Sequence, residues 1–159
     1  MGRPDRRTVG IGRHAAGPEG SARRLMLLLD SEALSAIAHG PQLRRDRVRA
    51  LIAAMRARER PIGTVAAVLA EVVRGRAADA GVFAGLRRER VEVYPVDTRA
   101  GVRAGQLLGR VKAGSELAID AFIVAVADLA GGAVIASVEV SDLERLAAHA
   151  TKVVVADVV

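Results

Sequence analysis

Several acidic residues in this sequence have neighbours that could bring their side chains together. Asp30 ends the apolar run 25–29, and Glu139 follows another apolar run. Glu71 and Asp120 each lie among aliphatic residues. A carboxylate that faces a packed interior is costly unless it is paired or bound to a metal. Hard cations such as Mg²⁺ and Mn²⁺ prefer oxygen ligands and remove the repulsion between like charges, so the set predicts a divalent-metal site.

Each of these acids also has an ordinary structural explanation. Asp30 precedes a helix and could be its N-terminal cap. Glu71 could form a solvated i, i+3 ion pair with Arg74. Asp142 could simply favour the N-terminus of its own helix, and Glu139 could be solvated. No single acid is therefore specific, and the order and context of the set carry the argument.

The elements that would position these acids alternate between strands and helices. Strands are predicted at 25–29, 91–96, 133–137 and 153–155, and helices at 31–39, 42–58, 65–73, 78–89, 98–112, 116–130 and from 141. Ser31, Thr64 and a Ser141–Glu144 capping box are predicted to begin helices, and 61–64 to be an extended link. This alternation predicts an α/β fold with a parallel sheet covered on both faces, in which ligands bind beyond the carboxyl ends of the strands.

Length and composition are consistent with one domain and exclude several kinds of site. The chain has 159 residues, 51% of them hydrophobic, and no cysteine, which excludes disulfides and thiolate metal sites. No apolar run is long enough to cross a membrane, and we expect a cytoplasmic protein. Of the net charge of +6, residues 1–24 contribute +4, from six Arg against Asp5 and Glu19. We expect 1–24 to be a disordered basic tail and 25–159 to be the folded domain.

Four segments carry acids in a recognisable order: LLDSEAL (28–34), TVAAVLAEVVRG (64–75), IDAFIVAVA (119–127) and SVEVSDLERL (137–146). Together they resemble the PIN-domain ribonucleases, particularly the VapC-type toxins of bacterial toxin–antitoxin pairs. The first and second are similar to the family's opening strand with its Asp and to its Glu-bearing helix. The third is similar to its Asp-Ala helix, and the fourth to its Thr-x-Asp or Thr-x-Asn motif followed by an Asp. Ser137 stands where the family usually has Thr, and Glu139 where it has Asp or Asn.

The resemblance implies a three-layer fold with a five-stranded parallel sheet, dependence on Mg²⁺ or Mn²⁺, and hydrolysis of single-stranded or structured RNA. It implies catalytic roles for Asp30, Glu71, Asp120 and Glu139. Of these, Asp30, Asp120 and Glu139 would bind the metal, and Glu71 would complete the site or position the attacking water. Ser137 and Asp142 would support them. It also implies a homodimer and a cognate antitoxin protein.

Two other classes of protein remain open from the sequence. A receiver-type signalling domain also gathers acids around Mg²⁺, with Asp97 as the candidate phosphoacceptor. However, such a domain needs paired acids after its first strand, where Asp30 stands alone. A catalytically silent PIN-like interaction module is the second alternative, because Glu139 departs from the family pattern. The Arg-rich helix 42–58 and the arginines just after it could contact a nucleic-acid backbone, although such a face is more often merely solvated.

Overall fold

A computed structural model of the protein describes residues 25–159. The basic segment 1–24 lies outside the described residues, so its expected disorder stays a prediction. Within the described part, no helix is both long and apolar enough to cross a membrane.

Across residues 25–159 the strands form a five-stranded, entirely parallel sheet in the order β3-β2-β1-β4-β5. The strand order turns back at β1, which pairs with β2 on one side and with β4 on the other. Leu27, Leu28 and Leu29 are completely buried, as expected for a central strand covered on both faces. The strands are β1 (Met26–Leu29), β2 (Ile62–Val65), β3 (Glu92–Tyr94), β4 (Ala133–Ser137) and β5 (Val153–Asp157).

The helices pack in two groups that cover this sheet. The first helix, α1, packs against α2, α3 and α4, while α5, α6 and α7 pack against one another; α1 and α6 both contact β1 and β4. The helices are α1 (Ser31–His39), α2 (Gln42–Arg56), α3 (Ala66–Val72), α4 (Asp79–Arg88), α5 (Thr98–Val111), α6 (Ala118–Leu129) and α7 (Ser141–Ala147), with a 3-10 turn at Ser115–Leu117. The predicted three-layer α/β fold is therefore confirmed.

The sheet order also decides against the receiver-type alternative. Receiver domains have the strand order 2-1-3-4-5, whereas the order here is 3-2-1-4-5. Asp97, the candidate phosphoacceptor, caps α5 instead, because its side chain accepts a hydrogen bond from the Ala100 N–H.

The second strand was missed by the sequence reasoning. Residues 61–64 were expected to be a short link, with Thr64 capping the following helix. In the structure Thr64 lies inside β2, and its hydroxyl donates a 2.7 Å hydrogen bond to the Leu29 carbonyl oxygen. The bond explains why a polar residue is completely buried there. It also ties the ends of β1 and β2 together, immediately before Asp30.

Two other predicted helix caps are wrong. The cap of α1 is Asp30 rather than Ser31, which is the first residue of the helix. The capping box at Ser141 and Glu144 does not form, because α7 begins at Ser141 itself and no side chain caps it. In both cases the serine is the first residue of the helix, whereas the capping pattern placed it one residue before the helix.

Thr64→Val should destabilise the fold, because it removes a buried donor without changing side-chain size. Loss of the bond to Leu29 should lower the free energy of unfolding by about 1–2 kcal/mol. Urea unfolding would measure the change. The matched control is Thr98→Val, which alters an exposed threonine and should leave the midpoint nearly unchanged; equal midpoints for the two variants would contradict the role assigned to Thr64.

Candidate functional site

Asp30 is fixed by the backbone on both sides. Its N–H donates to the Ala136 carbonyl oxygen of β4 at 3.2 Å, and its own carbonyl accepts the first hydrogen bond of α1 from Leu34 at 2.9 Å. One carboxylate oxygen accepts from the Ala33 N–H at 2.7 Å, which caps α1. Asp30 is therefore a helix cap, as the ordinary explanation held. Because a carboxylate has two oxygens, capping still leaves one for other partners.

Ser137 supports Asp30 from the neighbouring strand. This serine ends β4, is completely buried, and its hydroxyl donates to the Glu139 carbonyl oxygen at 2.9 Å. The same hydroxyl is within hydrogen-bonding reach of the Asp30 carboxyl. A hydroxyl carries one proton, so it donates to only one of these acceptors at a time. Ser137 is not among the residues that line the cleft, and its place is behind Asp30.

Glu71 and Asp120 come from two different helices, α3 and α6, which contact each other. Glu71 lies exposed in the last turn of α3, and Asp120 lies half-buried in the first turn of α6. The alternative ion pair between Glu71 and Arg74 is not formed. Arg74 follows the end of α3, and its guanidinium donates instead to the carbonyl oxygens of Ala70 and Val73. Glu71 is thus left without that cation.

These acids line a single cleft of about 170 Å³ beyond the carboxyl ends of β1 and β4. This is where the strand order reverses, which is the place where open parallel sheets bind ligands. Among the described residues, the cleft is lined by Asp30, Ser31, Glu32, Glu71, Asp120, Glu139, Ser141 and Asp142. The sequence-based set of acids is therefore brought together, Asp142 included.

Three of the lining residues were missed by the sequence reasoning. Ser31 and Glu32 follow Asp30 in the first turn of α1, and Ser141 begins α7. Their positions directly after strands β1 and β4 were the available signal. The sequence analysis predicts only helix capping for Ser31 and Ser141, and it gives Glu32 no role beyond its place in the segment 28–34.

Burial and mutual repulsion make two of the carboxyls resist ionisation. Asp30 is only 5% exposed, and its burial raises its pKa to about 6. The charges of Glu32 and Asp120 add to this rise, while the hydrogen bonds from Ala33 and Ser137 oppose it. Burial also raises the pKa of Asp120 to about 6, with further contributions from the charges of Glu71 and Asp142. A cleft with uncompensated negative charge favours a bound cation.

The donor chemistry of the cleft fits a hard divalent cation. Its lining offers carboxylate and hydroxyl oxygens and no nitrogen or sulfur ligand, which is the set that Mg²⁺ and Mn²⁺ prefer. Within residues 25–159, however, no group of three or more acidic or histidine side chains is arranged so that it could hold an ion as it stands.

Most arginines in the basic region around α2 serve the fold. Arg45 donates to the Gly40 carbonyl oxygen at 2.7 Å and Arg58 to that of Ala54 at 3.0 Å. Arg49 and Arg56 both bind Glu89, through its carboxylate at 3.2 Å and its carbonyl oxygen at 2.8 Å respectively. The bonds of Arg49 and Arg56 join α2 to the end of α4, Arg45 binds the residue that follows α1, and Arg58 binds the end of α2.

The fold and the site define an α/β domain with an acidic cleft at the reversal point of a parallel sheet. The model of the PIN domain family matches residues 27–148, so the chain belongs to that family. PIN domains are typically nucleases that use divalent metal ions.

Among solved structures, the chain is similar to the crystal structure of VapBC2 from Rickettsia felis bound to a DNA fragment from their promoter. The sequences are 14% identical, the TM-score is 0.61, and the match covers 84% of this chain and 100% of that chain. At this identity the likeness concerns the fold. No curated protein matches the chain by sequence.

The raised pKa of Asp30 predicts how stability should vary with pH in EDTA. The folded protein holds this proton more tightly than the unfolded chain, so the group's contribution to stability is greatest below about pH 4 and falls as pH rises to about 6. Above about pH 7 Asp30 is ionised in the folded protein, and its burial then lowers the free energy of unfolding by the full amount. The pKa change from 3.8 to about 6 corresponds to about 2–3 kcal/mol.

Asp30→Asn should remove this penalty while keeping the helix cap, because asparagine is an equally good N-cap. Its Tm should therefore exceed that of the wild type in EDTA near pH 7.5, and the difference should shrink toward about pH 4.5. Differential scanning calorimetry at several pH values would measure it. A Tm difference that does not change with pH would contradict the raised pKa.

Proposed function

We propose that this protein is a metal-dependent endoribonuclease that hydrolyses RNA phosphodiesters, and that it is the toxin of a VapC-type toxin–antitoxin pair. The observation that carries the proposal is the convergence of the family's acidic positions on one cleft in a chain that belongs to the PIN family. The fold and the donor chemistry support it. The substrate, the metal and the partner are inferences from the family resemblance and from the cleft.

In this proposal Asp30, Asp120 and Glu139 hold Mg²⁺ or Mn²⁺. Asp30 is rigid, since backbone bonds to β4 and α1 fix it. Glu139 follows β4 in a loop and is exposed, so its longer side chain can move inward. Asp142 supports the site from the first turn of α7, and Ser137 orients Asp30.

When bound, such an ion polarises the phosphodiester and lowers the pKa of water beside it. The chain's own contribution is positioning. Glu71 lies on α3, which contacts α6, and it is exposed and near enough to Asp120 for their charges to interact. It would accept a hydrogen bond from the attacking water and orient it toward the phosphorus atom. A cation in the cleft would favour the ionised forms of Asp30 and Asp120. Metal binding would therefore also bring these two carboxyls into the charge state that the active site needs.

The cleft favours recognition of the nucleic-acid backbone over recognition of bases. Among residues 25–159, its lining contains no aromatic residue on which a base could stack, and no Asn, Gln or Arg to read a base edge. A volume of about 170 Å³ suits a phosphodiester with part of its sugar rather than a duplex. Single-stranded segments, including the loops of structured RNA, are the expected targets.

Two partners follow from the same proposal. The similar structure is a VapBC2 assembly on promoter DNA, which supports an antitoxin protein as the partner of this chain. An antitoxin would inhibit by covering the acidic cleft with a cationic group. A homodimer and a cytoplasmic location belong to the proposal as well, and light scattering of the purified protein would determine the oligomeric state.

RNA cleavage tests the proposal directly. Wild-type protein should cut single-stranded RNA with Mn²⁺ or Mg²⁺ and not with EDTA. Asp30→Asn and Asp120→Asn should each lower the rate by at least about a hundredfold, because each removes a charged ligand while keeping the side chain's shape. Glu144→Gln is the matched control, since Glu144 lies on α7 close to Asp142 but does not line the cleft. Its rate should equal that of the wild type.

The outcomes separate the alternatives. Absence of cutting with any divalent ion, on both unstructured and structured RNA, would favour the catalytically silent interaction module. Cutting that persists in Asp120→Asn would show that the active site lies elsewhere or that a contaminating nuclease is present.

Metal binding can be tested without any RNA. Mn²⁺ should raise the Tm of the wild type near pH 7.5, because a ligand at a hundred times its Kd stabilises the fold by about 2.7 kcal/mol. The shift should be lost in Asp120→Asn, reduced in Glu139→Gln, and unchanged in Glu144→Gln. An unaltered shift in Glu139→Gln would remove Glu139 from the ligand set and leave Asp30 and Asp120.

A further inference from the structure

Two arginines stand at the cleft, each beside a carboxylate that lines it. The Arg44 Nη1 atom lies 3.9 Å from Glu32 Oε2, and the Arg145 Nη1 atom lies 2.9 Å from Asp142 Oδ1. Arg145 also donates to the Val111 carbonyl oxygen at 3.3 Å. In the described part of the chain, no arginine or lysine is itself among the lining residues, so Arg44 and Arg145 lie beside the acidic surface rather than in it.

The two arginines approach the cleft from different flanks. Arg44 belongs to α2, which packs against α1, whereas Arg145 belongs to α7, which packs against α5 and α6. Their carboxylate partners lie in the first turns of α1 and α7, the helices that follow the adjacent strands β1 and β4. The acidic cleft therefore has one cation on each flank.

Both ion pairs are weak enough to exchange partners. The side chains of Arg44 and Glu32 are 34% and 50% exposed, and those of Arg145 and Asp142 are 53% and 45% exposed. Exposed pairs of this kind contribute little to stability, so releasing the arginine costs little. Arg45, Arg56 and Arg58 near α2 donate to backbone carbonyls at 2.7–3.0 Å, shorter than the 3.3 Å contact of Arg145 with Val111. Arg49 is held by Glu89, whose side chain is only 12% exposed.

A polyanionic substrate needs such cations here. Among the described residues, six carboxylates line the cleft, and one divalent ion would neutralise only two of their charges. An RNA backbone brings a further negative charge with every phosphate. Guanidinium groups are well suited to meet it, since their planar fork of donors matches phosphate geometry.

We infer that Arg44 and Arg145 bind RNA phosphates on the two flanks of the cleft. To do so, Arg44 dissociates from Glu32 and Arg145 dissociates from Asp142. This inference rests on the proposed ribonuclease function and extends it by naming the groups that hold the strand. In the free protein the two carboxylates keep the arginines beside the cleft. In the complex the phosphates replace the carboxylates, and the strand is held across the acidic surface.

RNA binding in a variant that does not cut tests the inference. Fluorescence anisotropy with a labelled single-stranded oligoribonucleotide, in Mg²⁺, would compare Asp120→Asn alone with the same chain carrying Arg44→Gln or Arg145→Gln. Each added change should weaken binding about three- to tenfold, as expected for the net contribution of one solvent-exposed hydrogen bond. The slope of log Kd against log salt should fall by about 0.7 for each phosphate contact that is lost.

The matched control is Arg47→Gln. Arg47 lies on α2 one turn after Arg44, is exposed, and has no partner among the described residues. It should leave the affinity and the salt slope nearly unchanged. An equal loss for Arg47→Gln would indicate diffuse attraction by the basic face of α2 and would overturn the specific role of Arg44.

Two further measurements separate phosphate binding from a merely structural role. Glu32→Gln frees Arg44, so it should tighten RNA binding, the opposite direction to Arg44→Gln. The Mn²⁺ concentration that gives half of the Tm shift should not rise in Arg44→Gln or Arg145→Gln. If the arginines served only to hold the carboxylates for the metal, that concentration would rise. Arg145→Lys, which keeps the charge, should retain the salt slope and guards against a folding defect in Arg145→Gln.

Failure of this inference is distinguishable from failure of the proposed function. If the wild type cuts RNA and both arginine variants bind it as tightly as their parent, the inference is wrong and the ribonuclease stands. If the wild type does not cut RNA, the proposed function fails, and the anisotropy measurements still decide whether these arginines bind an RNA strand.

Discussion

The burial of one carboxylate at the end of the central strand constrains the whole site. Asp30 follows β1, where the sheet reverses its order, and it is 5% exposed. Ala33 and Ser137 provide hydrogen bonds that favour its ionised form, yet burial outweighs them and the pKa rises to about 6. Because burial of a charge is this costly, the neighbouring elements must either supply a cation or leave the acid partly protonated.

The arrangement of the other acids follows from that constraint. Asp120 reaches the cleft from α6 and Glu71 from the neighbouring helix α3, and their mutual repulsion contributes to the raised pKa of Asp120. The acids line one cleft without forming a closed ligand set among residues 25–159. Without a cation, ionisation of these carboxyls lowers the stability of the fold, and protonation restores it. Metal binding, protonation and folding stability are therefore linked.

Cations at the cleft come from its two flanks rather than from its floor. The two pairs formed by Arg44 and Arg145 are exposed, which keeps both arginines available. Arg49 differs from Arg44 in its partner rather than in its own exposure, because Glu89 is only 12% exposed and lies 3.2 Å from Arg49. The partners of Arg44 and Arg145 are 50% and 45% exposed, so the burial of the carboxylate separates the pair that serves the fold from the two pairs that can release an arginine to a ligand.

The sequence by itself determined the α/β class, most helix and strand positions, and five of the six acids that line the cleft, Glu32 being the exception. Apolar runs and acidic strand ends are local patterns, and the resemblance of four short segments to the family's motifs indicated the acids that lie on helices. It did not determine β2, since Thr64 is polar and only its bond to Leu29 across the sheet allows its burial. Nor did it determine that Arg74 turns away from Glu71, that Ser137 stands behind Asp30, or that Arg44 and Arg145 flank the cleft. Those relations join residues from separate elements, and only the packing of helices on the sheet brings them within reach.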